Sequence, residues 1–286
     1  MKIYRSKIQI LIFGFCLSGL TLLSLLQCRI DHGLEPIHSK IGGKILFQGD
    51  VPPSTDEVRI AVAEAFPPQH INQLLFSDQI PYREDTARWE IYLPEGTYEL
   101  VAVLWKEHNQ PWNISNIIGI YGGTFVGDFL VPTRKPVTVP NASACIDTID
   151  MEANFTRVQR DGTIQGTITF LGIWPPNTGA VGIGAFTSVP EQGDLEDYLM
   201  KNVALEYNIP TFVEKTDYEL KVRSSLEIKY IAVLWINNAF DLGSLRDIGF
   251  YRDPQDSTQP GTVIVPPHST VAGIRILVNF SGTEEP

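Results

Sequence analysis

The sequence predicts an all-β protein that consists of two tandem antiparallel β-sandwich domains. Three observations lead to this expectation: a unit of about 120 residues occurs twice, apolar side chains in both copies alternate with a period of two, and helical patterns are scarce. Clusters of Pro and Gly recur about every ten residues, which is the spacing of turns in a sandwich.

The duplication is clearest at the start of each copy. Residues 41–53 (IGGKILFQGDVPP) align without a gap with residues 164–176 (IQGTITFLGIWPP), and identities fill more than half of the aligned positions. The segment Ala-Val-Leu-Trp recurs at residues 102–105 and 232–235, and each copy closes on Asn-Phe, at Asn154 and Asn279. The predicted organisation is a signal segment at 1–27, a tether at 28–40, sandwiches at 41–155 and 163–281, a linker at 156–162 and a tail at 282–286.

Within each copy the residue pattern predicts strands of two kinds. Val58, Ile60 and Val62 alternate with Arg59 and Ala61, as in a strand that is half-buried on one face. The Ala-Val-Leu-Trp segments are apolar at every position, which predicts a central strand covered on both faces. One helix is predicted over residues 195–203 with Asp194 as its N-cap, and residues 71–76 are its shorter counterpart in the first copy.

The first copy contains a G-x-I-x-F-x-G start at residues 43–49, a V-x-I-x-V strand at residues 58–62 and an L-P-E-G-T-Y turn at residues 93–98. With these motifs each copy resembles a transthyretin-like or carboxypeptidase-regulatory-like β-sandwich. The second copy departs from the pattern, because residues 224–227 (SSLE) replace the turn. The resemblance implies a small accessory module of envelope proteins, used for binding, spacing or stabilisation, and it implies no catalytic residues.

The N-terminal segment has the pattern of an export signal. Lys2, Arg5 and Lys7 precede a run without charges that ends in Leu-Leu-Gln-Cys at Cys28. This ending resembles the lipobox of bacterial membrane lipoproteins, which implies lipid attachment at Cys28, although Gln27 stands where the family usually has a small residue. An uncleaved membrane anchor and an ordinary signal peptide are the alternatives. All three interpretations place the rest of the chain in the cell envelope, facing the periplasm or the exterior.

Charge limits the partners of the chain. The formal net charge is -11 from 22 basic and 33 acidic residues, and removal of the three basic residues of the signal segment leaves 19 minus 33, or -14. A body with this charge repels nucleic acid, so we expect no nucleic-acid role. The expected partners are the membrane, through the lipid anchor, and an unidentified envelope protein or glycan.

Motifs that carry catalysis are not found in the sequence. It lacks a nucleophile elbow, a paired-cysteine metal motif, a phosphate loop and a dinucleotide fingerprint, and its five histidines have no ligand spacing. We therefore expect no catalytic residues, no metal and no cofactor. Cys145 has no neighbouring base and is expected to be a spectator, while a disulfide between Cys28 and Cys145 is the alternative if acylation fails.

One loop is the candidate ligand site. Trp112 follows a polar stretch, and an aromatic ring there could stack on a sugar face while Glu107, His108 and Asn109 bond its hydroxyls. The alternative is that Trp112 folds back on the edge of the sandwich. The leading functional hypothesis is a non-enzymatic lipoprotein of the cell envelope that acts as a binding or structural module. The others are a glycan- or polymer-binding lipoprotein of an uptake or degradation system, and an enzyme of unrecognised type.

Overall fold

The computed structural model describes residues 38–282. The predicted signal segment, Cys28 and most of the predicted tether and tail lie outside the described residues. Strands dominate both repeats, and the predicted all-β sandwich fold is confirmed. The chain is already packed before the first predicted domain boundary, since Ser39 is buried and its hydroxyl donates to the carbonyl of Leu93.

The strands of the main sheets occur in the same order along the chain in both repeats. In the first repeat they are β1 (Lys40–Gln48), β2 (Thr55–Ala63), β3 (Leu75–Phe76), β4 (Thr86–Tyr92), β5 (Gly96–Tyr98), β6 (Leu100–Glu107), β7 (Ile117–Ile120), β8 (Thr124–Val126), β9 (Phe129–Val131), β10 (Val137–Val139), β11 (Cys145–Ile146) and β12 (Met151–Asn154). In the second they are β13 (Gly162–Leu171), β14 (Thr178–Phe186), β15 (Asn202–Ile209), β16 (Lys215–Val222), β17 (Glu227–Ile228), β18 (Tyr230–Asn237), β19 (Arg246–Phe250), β20 (Val263–Ile264) and β21 (Thr270–Asn279), with helix α1 (Leu195–Lys201) before β15.

Each repeat contains two main sheets. One has the order β4-β1-β12 in the first repeat and β16-β13-β21 in the second, and the other has the order β3-β2-β6-β7 or β15-β14-β18-β19. We call the latter the inner sheet of each repeat. Most pairs are antiparallel, as predicted. The closing strands β12 and β21 are parallel to the first strand of their repeat, and the sequence did not predict this parallel pairing.

Apolar side chains between the two sheets form a separate core in each repeat. The first core contains Trp105 and Phe155, and the second contains Trp235 and Phe280. The central strands β6 and β18 are buried on both faces, which confirms the prediction for the Ala-Val-Leu-Trp segments. The prediction that β2 is half-buried on one face is wrong at its C-terminal end. Ala61 is buried as well, because a second apolar cluster covers that face of the inner sheet.

Helix α1 covers the corresponding face in the second repeat. Its predicted N-cap is confirmed, since the Asp194 carboxylate accepts a hydrogen bond from the amide of Asp197. The hydroxyls of Tyr198 on the helix and Tyr230 on β18 both donate to the carboxylate of Asp247 on β19. Burial, followed by these bonds to Asp247, raises the pKa of both tyrosines, so the phenols stay protonated and hold the helix on the sheet.

Both repeats contain the same buried hydrogen bond at the start of the second strand. The indole of Trp105 donates to the hydroxyl of Thr55 over 2.8 Å, and the indole of Trp235 donates to that of Thr178 over 2.9 Å. Each threonine hydroxyl in turn donates over 2.7 Å to the carbonyl three residues earlier. The Pro-Pro-x-Thr sequence of each copy is therefore the turn that satisfies a buried indole N–H.

In both repeats, the turn formed by the closing Asn-Phe sequence packs against a glycine at the end of the first strand. The side-chain oxygen of Asn154 accepts from the amide of Thr156, and this turn lies against Gly49, whose φ is +75°. A Cβ at Gly49 would lie 2.7 Å from the Thr156 hydroxyl oxygen, and one at Gly172 would lie 2.7 Å from that of Ser281. A side chain at either glycine would therefore be strained by its backbone and would clash with the turn.

Replacement of Thr178 by Val tests the buried indole bond. The variant keeps the shape of the side chain but leaves the N–H of Trp235 without its acceptor, so we expect a loss of about 1–3 kcal/mol in the free energy of unfolding, measured by urea denaturation. Thr86→Val is the control, because Thr86 is exposed at the start of β4. Equal destabilisation by the two substitutions would contradict the assignment.

Candidate binding site between the two repeats

The second repeat meets the first through β15 and α1, two elements that the first repeat has only in shortened form. Its corresponding segment contains the 3-10 turn Ile71–Gln73 and the two-residue strand β3. Strand β15 contacts the 3-10 turn Ile114–Asn116 of the first repeat. We call this region of contact the junction.

Asn113 connects the two repeats at the junction. Its side-chain nitrogen donates to the carbonyl of Leu205 on β15 over 2.7 Å. Its side-chain oxygen accepts from the hydroxyl of Tyr207 at 3.2 Å, and from the amide and hydroxyl of Ser115 at 2.9 and 2.8 Å. One amide side chain thus orders its own loop and binds the neighbouring strand.

The same local turn occurs at the three other Asn-x-Ser/Thr sequences. The side-chain oxygens of Asn141, Asn154 and Asn279 accept from the amide two residues later, at 3.1, 2.9 and 2.9 Å. A short polar side chain that bonds to the backbone two residues on is a common way to form a turn. Unlike the turns at these three asparagines, the turn at Asn113 is joined by its side chain to the other repeat, through Leu205 and Tyr207.

Two further contacts fix the junction on its other side. The guanidinium of Arg134 pairs with Glu196 on α1 at 2.8 Å and lies 4.7 Å from the centre of the Phe66 ring. The amide of Leu242 donates to the carbonyl of Gln69 over 2.9 Å. These contacts come from loops of the first repeat and from the helix and a loop of the second, so the repeats meet along a broad surface.

A cleft of about 220 Å³ opens at the junction, and both repeats line it. We call it the junction cleft. Its polar lining includes the side chains of Glu107, Asn113 and Asn116 from the first repeat, Arg160 from the linker, and Tyr207 and Lys221 from the second repeat. The volume is below the roughly 300–1,000 Å³ of sites for drug-sized ligands, so the cleft suits a single sugar unit or the end of a chain.

Arg160 is the most desolvated charge of the junction cleft. Its guanidinium donates to the carbonyl of Arg157 at 2.9 Å and to the side-chain oxygen of Asn116 at 3.3 Å. Burial lowers the pKa of Arg160 to about 10, and the negative charge of Glu107 opposes part of that effect. The side chain therefore remains charged at neutral pH and offers fixed donors to the cleft.

The structure separates the four side chains that the sequence predicted as one ligand site. Glu107 lines the junction cleft. His108 and Asn109 are exposed outside it, and the imidazole Nδ1 of His108 lies 3.6 Å from a carboxylate oxygen of Asp56. Trp112 is half-buried, with its ring stacked on Phe76 at a centroid distance of 5.3 Å. Ligand binding by any of the four stays a prediction.

Trp112 packs against the second apolar cluster of the first repeat, the arrangement that the sequence offered as the alternative. Apart from Glu107, the sequence analysis missed the polar lining of the cleft, including Asn116, Arg160 and Tyr207. Arg160 had a visible signal, since the seven-residue linker of an acidic chain contains two arginines. Asn116 and Tyr207 had none, because only the length of β15 brings them together.

The junction cleft differs chemically from two larger concavities. One, of about 390 Å³, lies on the first repeat beside Trp89 and Cys145. The other is an open groove of about 980 Å³ between the loops that contain His70 and Asp194. We favour the smaller cleft because it holds a desolvated charge and amide side chains from more than one segment, the features that fix the orientation of a ligand.

Residues 38–282 contain no group of three or more His, Cys, Asp or Glu side chains that could hold a metal ion. Cys145 is an exposed free thiol. Over the same stretch of chain there is no helix with the length and apolar content to cross a membrane.

The junction cleft offers hydrogen-bond donors and acceptors from both repeats and the linker, and such groups are suited to the recognition of hydroxyl groups.

Comparison with known proteins finds weak likenesses. No protein-family model and no curated protein matches the chain. A leucine-rich repeat protein from Bacteroides thetaiotaomicron has 8% identity and a TM-score of 0.31, over 84% of this chain and 26% of its own. The TIE protein of Bacillus anthracis has 10% identity and a TM-score of 0.18, over 84% of this chain and 34% of its own. A putative adhesin from Bacteroides ovatus has 11% identity and a TM-score of 0.25, over 88% and 95%.

The chain spans about a quarter and a third of the length of the first two of these proteins. Similarity at this level says nothing about what the chain binds. Assignment of a function therefore depends on the residues of the chain itself.

Replacement of Asn113 by Ala tests the junction. The variant removes the donor to Leu205 and the acceptor of Tyr207, so we expect faster hydrogen exchange in β15 and a loss of about 1–3 kcal/mol in unfolding free energy. Asn141→Ala is the matched control, because Asn141 forms the same Asn-x-Ser turn on an exposed loop. An unchanged exchange rate in β15 of the Asn113 variant would contradict this role.

Proposed function

We propose that the chain is a non-enzymatic, lipid-anchored binding module of the bacterial cell envelope, and that the junction cleft is its binding site. The observation that carries the proposal is the cleft itself, a polar concavity to which both repeats and the linker contribute. The hydrogen bonds of Asn113 to Leu205 and Tyr207 hold the two repeats together beside this cleft. The proposal extends the resemblance to transthyretin-like and carboxypeptidase-regulatory-like modules, which are used for binding, spacing or stabilisation.

The address in the envelope is supported by the first 28 residues of the sequence. A basic start, an apolar run and the Leu-Leu-Gln-Cys ending are the features that export and lipidation require. From Cys28 to Ser39, the first buried residue of the described segment 38–282, the chain has 39 minus 28, or 11, residues. A fully extended chain of that length reaches at most about 40 Å, so the sandwiches would remain close to the membrane surface.

A glycan is the ligand class that the cleft favours, and glycan binding is the second candidate function. Amide, carboxylate and guanidinium groups at Asn116, Glu107 and Arg160 supply donors and acceptors for sugar hydroxyls. Tyr207 supplies an aromatic ring at the rim, the role that the sequence had given to Trp112. The acidic surface of the chain argues against a strongly anionic polymer as the preferred ligand.

Mass spectrometry of the mature N-terminus tests the proposed lipid anchor and envelope localisation. We expect a chain that begins at Cys28 and carries fatty acyl groups, because the lipobox-like ending is read by the lipoprotein pathway. Cys28→Ser is the matched variant and should remain unprocessed and without lipid. An intact N-terminus, or an unmodified residue 28, would exclude the lipid anchor.

A glycan array probed with the purified chain tests the ligand class. We expect Glu107→Gln to weaken binding of a positive glycan about 10–100-fold, because a hydrogen bond to a charged group contributes about 1.5–3 kcal/mol. His108→Ala and Asn109→Ala are controls, since both side chains lie outside the cleft. If no polysaccharide binds, the proposal of glycan binding is rejected. The proposed localisation in the envelope is then still decided by the mass of the mature N-terminus.

A further inference from the structure

One edge of the first sandwich is a strand that has a neighbour on one side only. Strand β4 pairs with β1, and no other strand within residues 38–282 pairs with it. The corresponding strand of the second repeat, β16, also pairs with a single strand, but the long strand β15 packs against it. In the first repeat β3 stands in the place of β15, and its two residues are too few to cover β4 in the same way.

The hydrogen bonds of β1 show which way its backbone groups point. Three alternate residues of β1 bond to the segment that contains β11 and β12, on the side away from β4. These bonds run from Lys40 to Ala144 over 2.8 Å, from Ile149 to Gly42 over 3.0 Å and from Lys44 to the carboxylate of Asp150 over 2.8 Å. In an antiparallel pair, the residues opposite such groups also turn their backbone groups outward.

The outward backbone groups of β4 therefore belong to alternate residues. Arg88, Glu90 and Tyr92 lie opposite the three residues of β1 that bond to the other side. Within residues 38–282 no hydrogen bond reaches the backbone N–H or C=O of these three residues. A row of free donors and acceptors at a sheet edge is a template for one more strand.

The side chains along this edge carry both signs of charge. Arg88 and Glu90 are exposed, and Glu90 pairs with Lys40 at 2.6 Å. Arg88 lies opposite Lys44, and no carboxylate of residues 38–282 lies within 4.0 Å of its guanidinium. Charged side chains usually protect an edge strand from other chains. Here the charges have opposite signs at successive exposed positions, so they attract a strand that has the reverse order.

A second copy of β4 has that reverse order. When two copies run antiparallel about a two-fold axis at Trp89, Arg88 of each lies opposite Glu90 of the other, and Thr86 lies opposite Tyr92. Each of these pairs joins residues with outward backbone groups, so each is a hydrogen-bonded pair. A two-fold axis at residue 88 or at residue 90 would instead oppose two arginines or two glutamates. The charges thus select one register, because opposite charges in facing positions attract and like charges repel.

The second repeat shows that the sandwich itself does not require this charge pattern. On β16, Asp217 and Glu219 occupy the positions of Arg88 and Glu90, as the pairing with the first strand of each repeat shows. The same register between two copies of β16 would oppose acidic side chains. The alternation of charge is therefore a property of the one edge that no neighbouring strand covers.

We propose that two copies of this chain associate through β4, so that the two sheets that contain β1 join into one continuous sheet. The contact is self-complementary and closes after two copies, as an isologous dimer does. One seven-residue strand from each copy is a small interface, so the dimer is weak and depends on concentration. The inference goes beyond the proposed function, because β4 contributes no residue to the lining of the junction cleft.

Sedimentation equilibrium of the full chain, in a density-matched non-ionic detergent, tests the proposal. We expect the wild-type chain to show a monomer–dimer equilibrium. Arg88→Glu and Glu90→Arg should each weaken the dimer at least about tenfold, because each variant places like charges opposite one another twice in the dimer. Asp217→Arg changes the charge by the same amount on the corresponding strand of the second repeat and should associate like the wild type.

An equimolar mixture of the Arg88→Glu and Glu90→Arg chains separates the register from a loss of folding. One variant has two acidic side chains on its edge and the other has two basic ones, so every facing pair in the mixed dimer again has opposite charges. We expect a heterodimer at least as stable as the wild-type dimer. If one single variant does not fold, the double variant Arg88→Glu/Glu90→Arg replaces the mixture, because exchange of the two charges keeps every facing pair opposite.

Three results would overturn the proposal. The first is a wild-type chain that stays monomeric up to about 1 mM. The second is self-association that neither charge reversal weakens, which would place the contact elsewhere. The third is a mixture or double variant that folds but does not dimerise. Glycan binding is measured on the array with the same chain, so failure of one proposal does not affect the other.

Discussion

The inner sheet of each repeat is apolar on both faces, and the burial of its second face is the constraint on which the rest of the structure depends. The facing sheet covers one side. The other side of the sheet has a second apolar surface, which includes Ala61, Leu100 and Leu104 in the first repeat and Ala232 and Leu234 in the second. Apolar surface of this kind contributes about 25 cal/mol per Å² when it leaves water, so each repeat needs a cover.

The two repeats solve this problem differently. The first covers its surface with three aromatic side chains, Phe66 and Trp112 from loops and Phe76 from β3, and the second covers its own with helix α1. Met200 of that helix packs against the cluster of the first repeat, so the cover of one repeat also serves the other. The junction, and the cleft within it, are consequences of this shared cover rather than of the duplicated strands.

Charge is distributed unevenly around this arrangement. The chain is acidic as a whole, yet Arg157, Arg160 and Arg223 come together where the linker meets both repeats. Arginines tolerate such a position because they stay protonated and offer several donors to carbonyl groups. The junction is therefore where an acidic chain concentrates positive charge.

The sequence by itself determined the duplication, the all-β class, the fully buried central strands and the capped helix. A repeat, a periodicity of apolar residues and a helix cap are all visible in the order of the residues. The periodicity of Val58 and Ile60, the Ala-Val-Leu-Trp segments and the cap at Asp194 are all local. The threonine acceptors of Trp105 and Trp235 and the parallel closing strands were not predicted, since they join residues that are far apart in the chain.

Only the tertiary structure decided the environment of each candidate site residue. Glu107 ends β6 and Trp112 lies in the loop that follows, yet Glu107 lines a cleft and Trp112 packs on the second apolar cluster. Asn113 lines the cleft because β15 of the second repeat packs against it, and Arg160 lines it because the linker passes the same place. The physical reason is that a site between two repeats is made by their packing, and packing depends on which apolar surfaces remain to be covered after each sandwich has formed.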